Sequence, residues 1–184
     1  LPQKGWFQMI PSDHFVRFYN EVFKFLDERD ALEPYYREIS RHQELHCLEL
    51  FRREGLAGLR KYYEKIRIEE NCGMELESLP DRMILRMTCC PSLSKVLDSD
   101  AAPCPKYCDH CGGWGIPLYI KCGIYYVGNM ISRTEPRCEI VYTESREVAR
   151  QVYRDILDAG YSPDLIQSDL DDWEEIEKNR VERA

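Results

Sequence analysis

No apolar run in the 184 residues approaches the ~20 needed to cross a bilayer as a helix. No succession of charged, apolar and small residues opens the chain as a secretory signal. Both absences lead to the expectation of a cytoplasmic protein without a membrane partner. Clustered basic residues are lacking too: 25 Lys and Arg are scattered against 33 Asp and Glu, for a net charge of −8. A surface that tracks phosphates needs Lys and Arg gathered on one face, so nucleic acid is not the expected partner. The acidity is concentrated late, in "SDLDDWEEIEKNRVERA", which reads as a solvated helix. Internal repeats and low-complexity stretches are absent as well.

What the chain has in excess is cysteine. Nine is a high number for this length, it is odd, and a chain of this size buries a core without disulfide staples. Cysteines in such a setting are reduced, and they ligate, react or fill space.

The order of elements predicts one α+β domain over 1–184: a helical part (1–70), a cysteine-rich α+β core (71–143) and a helical C-terminal part (144–184). Ser12 is placed to cap a first helix carrying Phe15, Phe18, Val22, Phe25 and Leu26 at helical spacing. A second helix is expected from Glu33 to Glu54, with Pro34 in its first turn and Gly55 at its end. A third, Leu56 to Glu69, is amphipathic through Leu59, Tyr62, Tyr63 and Ile66. "CGMELESL" and "RMILRMTCC" around Pro80-Asp81 read as a β-hairpin. "SLSKVLD" reads as a short helix capped by Ser92, and "IPLYIKCG" as another stopped by Gly123. Two strands, "IYYVGNMIS" and "CEIVYTE", precede a helix that places Val148, Val152, Ile156 and Leu157 on one face and ends at Gly160. A last acidic helix is expected from Pro163-Asp164. The amphipathic terminal helices offer a surface for a homodimer.

The chemistry is expected in "CPKYCDHCGGWG", residues 104–115. Cys104, Cys108 and Cys111 have the C-x3-C-x2-C spacing found in radical S-adenosylmethionine enzymes. Three thiolates on a compact loop can hold irons of a four-iron cluster. The repeated βα pattern of that enzyme class is missing, so the cluster is retained and the class is not. A fourth ligand is available from Cys90, Cys122 or Cys138. Zinc is the other metal suited to Cys108, His110 and Cys111. The plainest alternative is that the cysteines are small apolar fillers at a glycine-rich turn. A second constellation lies in "SRHQELHCLE", where His42 and His46 one helical turn apart and Glu49 three residues on can face one point. That is the donor set of open iron or zinc sites, and a solvated helix flank is its bland counterpart.

The stretch from Cys72 to Thr143 resembles the L-2-amino-thiazoline-4-carboxylate hydrolase-like family. It carries "MTCCP", "CPKYCD", "GIYYVGNMISRT" and "RCEIVYTE", with Cys90, Pro91, Cys104, Pro105, Cys108, Asp109 and Cys138 at the matching positions. The order also looks like that of vinyl-reductase-type small-ligand domains. The resemblance implies hydrolysis of a C–N or C–S bond in a small sulfur- and nitrogen-containing substrate. A thiolate, Cys104 or Cys108, would be the nucleophile, and Asp109 or His110 the proton relay. A helix beginning at Pro105 would bring its dipole to Cys104. The doubled Cys89-Cys90 and the added His110, Cys111 and glycines depart from the family pattern and point toward a metal or cluster. Sequence therefore leaves three readings: a thiol hydrolase, a non-catalytic iron–sulfur or zinc domain sensing a ligand or redox state, and a metalloenzyme using His42, His46 and Glu49.

Overall fold

The computed structural model describes residues 13–98 and 102–183, so the expected cap at Ser12 lies outside the described residues. Two helices come first, α1 (Asp13–Asp27) and α2 (Leu32–Glu69). Then follow the hairpin strands β1 (Gly73–Ser78) and β2 (Arg82–Cys89), and the helices α3 (Pro91–Leu97) and α4 (Asp109–Ile120). Strands β3 (Tyr125–Asn129) and β4 (Cys138–Thr143) precede α5 (Arg146–Asp158), a short strand β5 (Ile166–Ser168) and α6 (Trp173–Arg183). The five strands form one antiparallel sheet in the order β1-β2-β4-β3-β5. This is the expected α+β architecture. No helix among the described residues is long and apolar enough to cross a membrane.

Helix α2 joins the two helices expected on either side of Gly55. Gly55 has φ +55° and ψ −133°, a conformation open to glycine and strained for any residue with a Cβ. The helix bends there into two arms. Residues from both arms, Cys47, Phe51 and Leu59, enter the main core with Met83, Leu85, Tyr126 and Tyr142 of the sheet. A second core gathers Val16 and Phe23 of α1, Leu93 and Val96 of α3, and Tyr107. A third packs α5 and Ile176 of α6 against the other face of β3 and β4.

Four expectations are corrected. On α1, Phe15, Phe18 and Phe25 are exposed, and the buried side is Val16, Asn20 and Phe23. A polar residue sits at its centre because Asn20 binds backbone: its Oδ1 accepts the Cys104 N–H at 2.7 Å, and its Nδ2 donates to the Ala102 carbonyl at 3.0 Å. Cys90, not Ser92, caps α3, its Sγ accepting the Leu93 N–H at 3.4 Å. Helix α4 starts at Asp109 and runs through Gly112, Gly113, Gly115 and Pro117, rather than starting at Pro105 or Ile116. Residues after Pro163 make a 3₁₀ turn and the edge strand β5 before the last helix begins at Trp173.

Candidate cysteine site

Glycine lets α4 approach its neighbours. A Cβ on Gly113 would run into the ring of Tyr36 on α2, and one on Gly112 into the Gln167 side chain of β5. Close packing on that side fixes which way the first turn of α4 faces. Asp109 is held there by Arg133, which donates from Nη1 at 2.7 Å, and by Gln167, which donates from Nε2 at 3.0 Å.

Three segments then meet in front of that first turn. The Cys90 N–H donates to the Pro136 carbonyl at 2.7 Å, bringing the β2–α3 junction beside the start of β4. Cys138 lies opposite Met87 across the β2–β4 ladder. The Ser92 and Tyr107 hydroxyls are hydrogen-bonded at 2.6 Å, which ties α3 to the lead-in of α4. Four thiols thus gather at the seam between two cores: Cys90 and Cys108 pack against the α1–α3 core, and Cys138 against the sheet core. Cys111, on the first turn of α4, is close enough to raise the thiols of all three.

Their electrostatics agree with that placement. Burial pushes the Cys108 thiol up to about 12, with Cys111 and Cys90 adding to it. Cys90 is pushed up to about 11, by burial first and Cys111 next. Cys138 is raised in the same way, by burial and then by Cys111, Cys90 and Cys108. Cys111 acts on the other three, and Cys90 on Cys108 and Cys138. Arg133 lowers Cys108 in part.

Cys111 is exposed, yet burial raises its thiol to about 12. The two facts reconcile if the surface it shows is that of a recess inside the molecule. A cavity of about 190 Å³ lies there, between α4 and both arms of α2. The His110 ring lines it too. Its Nδ1 is bonded to the Tyr107 carbonyl and so carries the proton, which leaves Nε2 to accept from the Cys111 thiol at 3.4 Å. Burial lowers the His110 pKa. Both partners are therefore held neutral, as thiol and imidazole. Deeper in, the Tyr142 hydroxyl donates to Tyr63 at 2.9 Å, and Tyr63 is bonded to Tyr119.

The other candidates lie elsewhere. Cys104 is 2% exposed inside the α1–α3 core, and burial raises its thiol. It is a packing residue of that core. The α4 dipole reaches Cys108, the residue preceding the helix, instead of Cys104. Asp109 is engaged by Arg133 and Gln167. His42, His46 and Glu49 are exposed on α2, as the solvated-flank alternative has it. Cys122 is fully buried in the sheet core. All nine cysteines are free of disulfides. Among the described residues, no three His, Cys, Asp or Glu side chains are arranged to hold a single metal ion. Sequence reasoning missed Glu70, Tyr63, Arg133 and Gln167. Only the helical register of Tyr63 and Glu70, seven apart on α2, gave a signal for any of them.

Comparison with protein-family models, with curated proteins and with solved structures returned no match for this chain.

Proposed function

We propose that Cys90, Cys108, Cys111 and Cys138 hold an iron–sulfur cluster, and that the chain is a domain sensing redox state or a ligand through it. The observation that carries this reading is the convergence of four thiols from three segments on one interior seam, with charge interactions linking them. An all-thiol donor set selects zinc or iron–sulfur clusters. A single zinc ion sits about 2.3 Å from each sulfur, which brings the sulfurs within about 4 Å of one another. The described residues contain no such arrangement. A cluster suits a wider donor set because its own irons and sulfides fill the middle. Bound there, it would supply one-electron chemistry at a potential set by its surroundings. The chain's residues do the rest. The first turn of α4 turns its partial positive charge toward Cys108 and Cys111, which favours their thiolates. The aromatic cores on both sides keep bulk water away.

A second reading has one observation in its favour. The Cys111–His110 pair has the geometry of a nucleophile and base, with the Tyr107 carbonyl orienting the ring. Together with the resemblance of residues 72–143 to the hydrolase-like family, it supports attack on a C–N or C–S bond by Cys111. The raised thiol and the lowered imidazole oppose this, since a nucleophilic cysteine needs its thiolate stabilised.

Protein purified without oxygen separates the two. The cluster reading expects iron, acid-labile sulfide and a broad absorbance near 400 nm. Cys138→Ser and Cys111→Ser should lose the iron, and Cys104→Ser should keep it. Colourless, iron-free protein in which Cys111 alone alkylates rapidly would overturn the cluster and leave the hydrolase.

A further inference from the structure

The cavity between α4 and the crook of α2 is distinct in chemistry from the thiol seam, although Cys111 borders both. Its walls are aromatic: Phe51, Tyr62 and Tyr63 from α2, Trp114 and Tyr119 from α4. The rings meet at angles rather than stacking flat on one another. Tyr62 stands at 85° to Phe51 and at 79° to Tyr63, with centroids 5.4 and 5.5 Å apart. Such an arrangement turns ring faces, which carry negative charge, in several directions around a space.

One carboxylate lines this cavity, that of Glu70, and no Lys or Arg does. Among the described residues the Glu70 side chain accepts no hydrogen bond and forms no ion pair, although burial raises its pKa. The lining is thus negative by its charge and by its ring faces, with no Lys or Arg among the described lining residues to balance it. Glu70 is half-buried, so its carboxylate has lost part of its water, and a cation joining it there would be favoured.

We infer that this cavity binds a small organic cation of the alkylammonium class, seated against the aromatic rings with its charge toward Glu70. Ring faces attract ammonium groups, and the attraction grows as water is removed. A volume of about 190 Å³ is the share of about six liquid waters, which admits a ligand of fewer than about ten non-hydrogen atoms. That is smaller than the ~300 Å³ at which drug-sized sites begin. This inference does not rest on the cluster.

Calorimetric titration of the full chain with choline, and with its uncharged isostere 3,3-dimethyl-1-butanol, provides the test. Choline should bind about tenfold or more tightly than the isostere. Glu70→Gln should remove that preference. Tyr62→Leu, a change on the cavity wall away from the carboxylate, should weaken choline by several-fold. Cys138→Ser should remove iron while choline keeps its preference over the isostere, so the two proposals fail separately. Equal affinity for the two probes, a preference that survives in Glu70→Gln, or no heat with choline up to about 10 mM would each overturn the inference.

Discussion

Replacing Asn20 with alanine tests the packing on which the cysteine loop depends. Asn20 is 1% exposed, and it is the polar centre of the buried side of α1. Its loss would strand the buried Cys104 N–H, now bonded at 2.7 Å. An unsatisfied buried donor costs about 1–3 kcal/mol. The Ala102 carbonyl would lose its 3.0 Å partner as well, but Ala102 is exposed and water can replace the bond at little cost. Adding up to about 1 kcal/mol for the lost side-chain contacts gives about 1–4 kcal/mol in all. For a chain of this size, that is a fall in melting temperature on the order of 10 °C. Urea denaturation followed by circular dichroism measures it, with Phe18→Ala as the control. Phe18 is 59% exposed on the same helix, so its truncation should change stability by less than about 0.5 kcal/mol. Cys104, at 2% exposure, should also alkylate faster in Asn20→Ala than in wild type. A larger cost for Phe18→Ala than for Asn20→Ala would refute the assignment of the buried face.

Two further substitutions probe the frame. Gly55→Ala places a Cβ at φ +55° and ψ −133° and should cost about 1–3 kcal/mol by chemical denaturation; it should also weaken choline binding, because the cavity lies in the bend. Asp169 is 1% exposed and accepts the Tyr126 N–H at 3.0 Å on either oxygen, and burial raises its pKa to about 8. The folded state then holds a proton that the unfolded chain releases above about pH 4. Stability from this group is therefore fully present below that pH and is lost as pH rises toward 8, by at most ~1.4 kcal/mol per unit. Asp169→Asn keeps an acceptor and has no charge to bury, so it should gain on wild type between about pH 5 and about pH 8; urea midpoints that stay parallel across that range would contradict the reasoning.

Local chemistry made much of the frame legible. Pro80-Asp81 marked the hairpin turn, Gly55 the break in α2, and Gly160 the end of α5. The misreadings share one cause, which is that tertiary partners overrode local preference. Three glycines and Pro117 argue against a helix, yet α4 forms because Tyr36 and Gln167 need those bare positions to pack. Strand β5 is three residues long and has no alternation of its own, so its pairing with β3 is what defines it. On α1, the phenylalanines have the period of a core face, but the partner on the opposite side is backbone, which only a residue such as Asn20 can satisfy. At the proposed site, spacing singled out Cys104, Cys108 and Cys111, with Cys90, Cys122 or Cys138 as a fourth. The burial of Cys104 in the α1–α3 core, the β2–β4 register and the Cys90–Pro136 hydrogen bond are what turn the proposal toward Cys90 and Cys138.

Helix α4 is where the two proposed sites would meet. Its bare glycine side at Gly112 and Gly113 lies against Gln167 and Tyr36, which leaves Cys111, Trp114, Leu118 and Tyr119 facing the arms of α2. Cys108 precedes the helix and Cys111 lies in its first turn, so the sulfur seam sits at its N-terminal end and the aromatic cavity runs along its flank. A ligand entering that cavity would touch the residues that orient Cys111, including His110, whose Nε2 is bonded to that sulfur. A charge seated beside Glu70 would act on Cys111 as well, because Glu70 already adds to the elevation of its thiol. A bound cation offsets that repulsion and favours the thiolate. The two sites are therefore coupled through one sulfur, and the coupling has a sign: an organic cation in the cavity should make Cys111 more acidic.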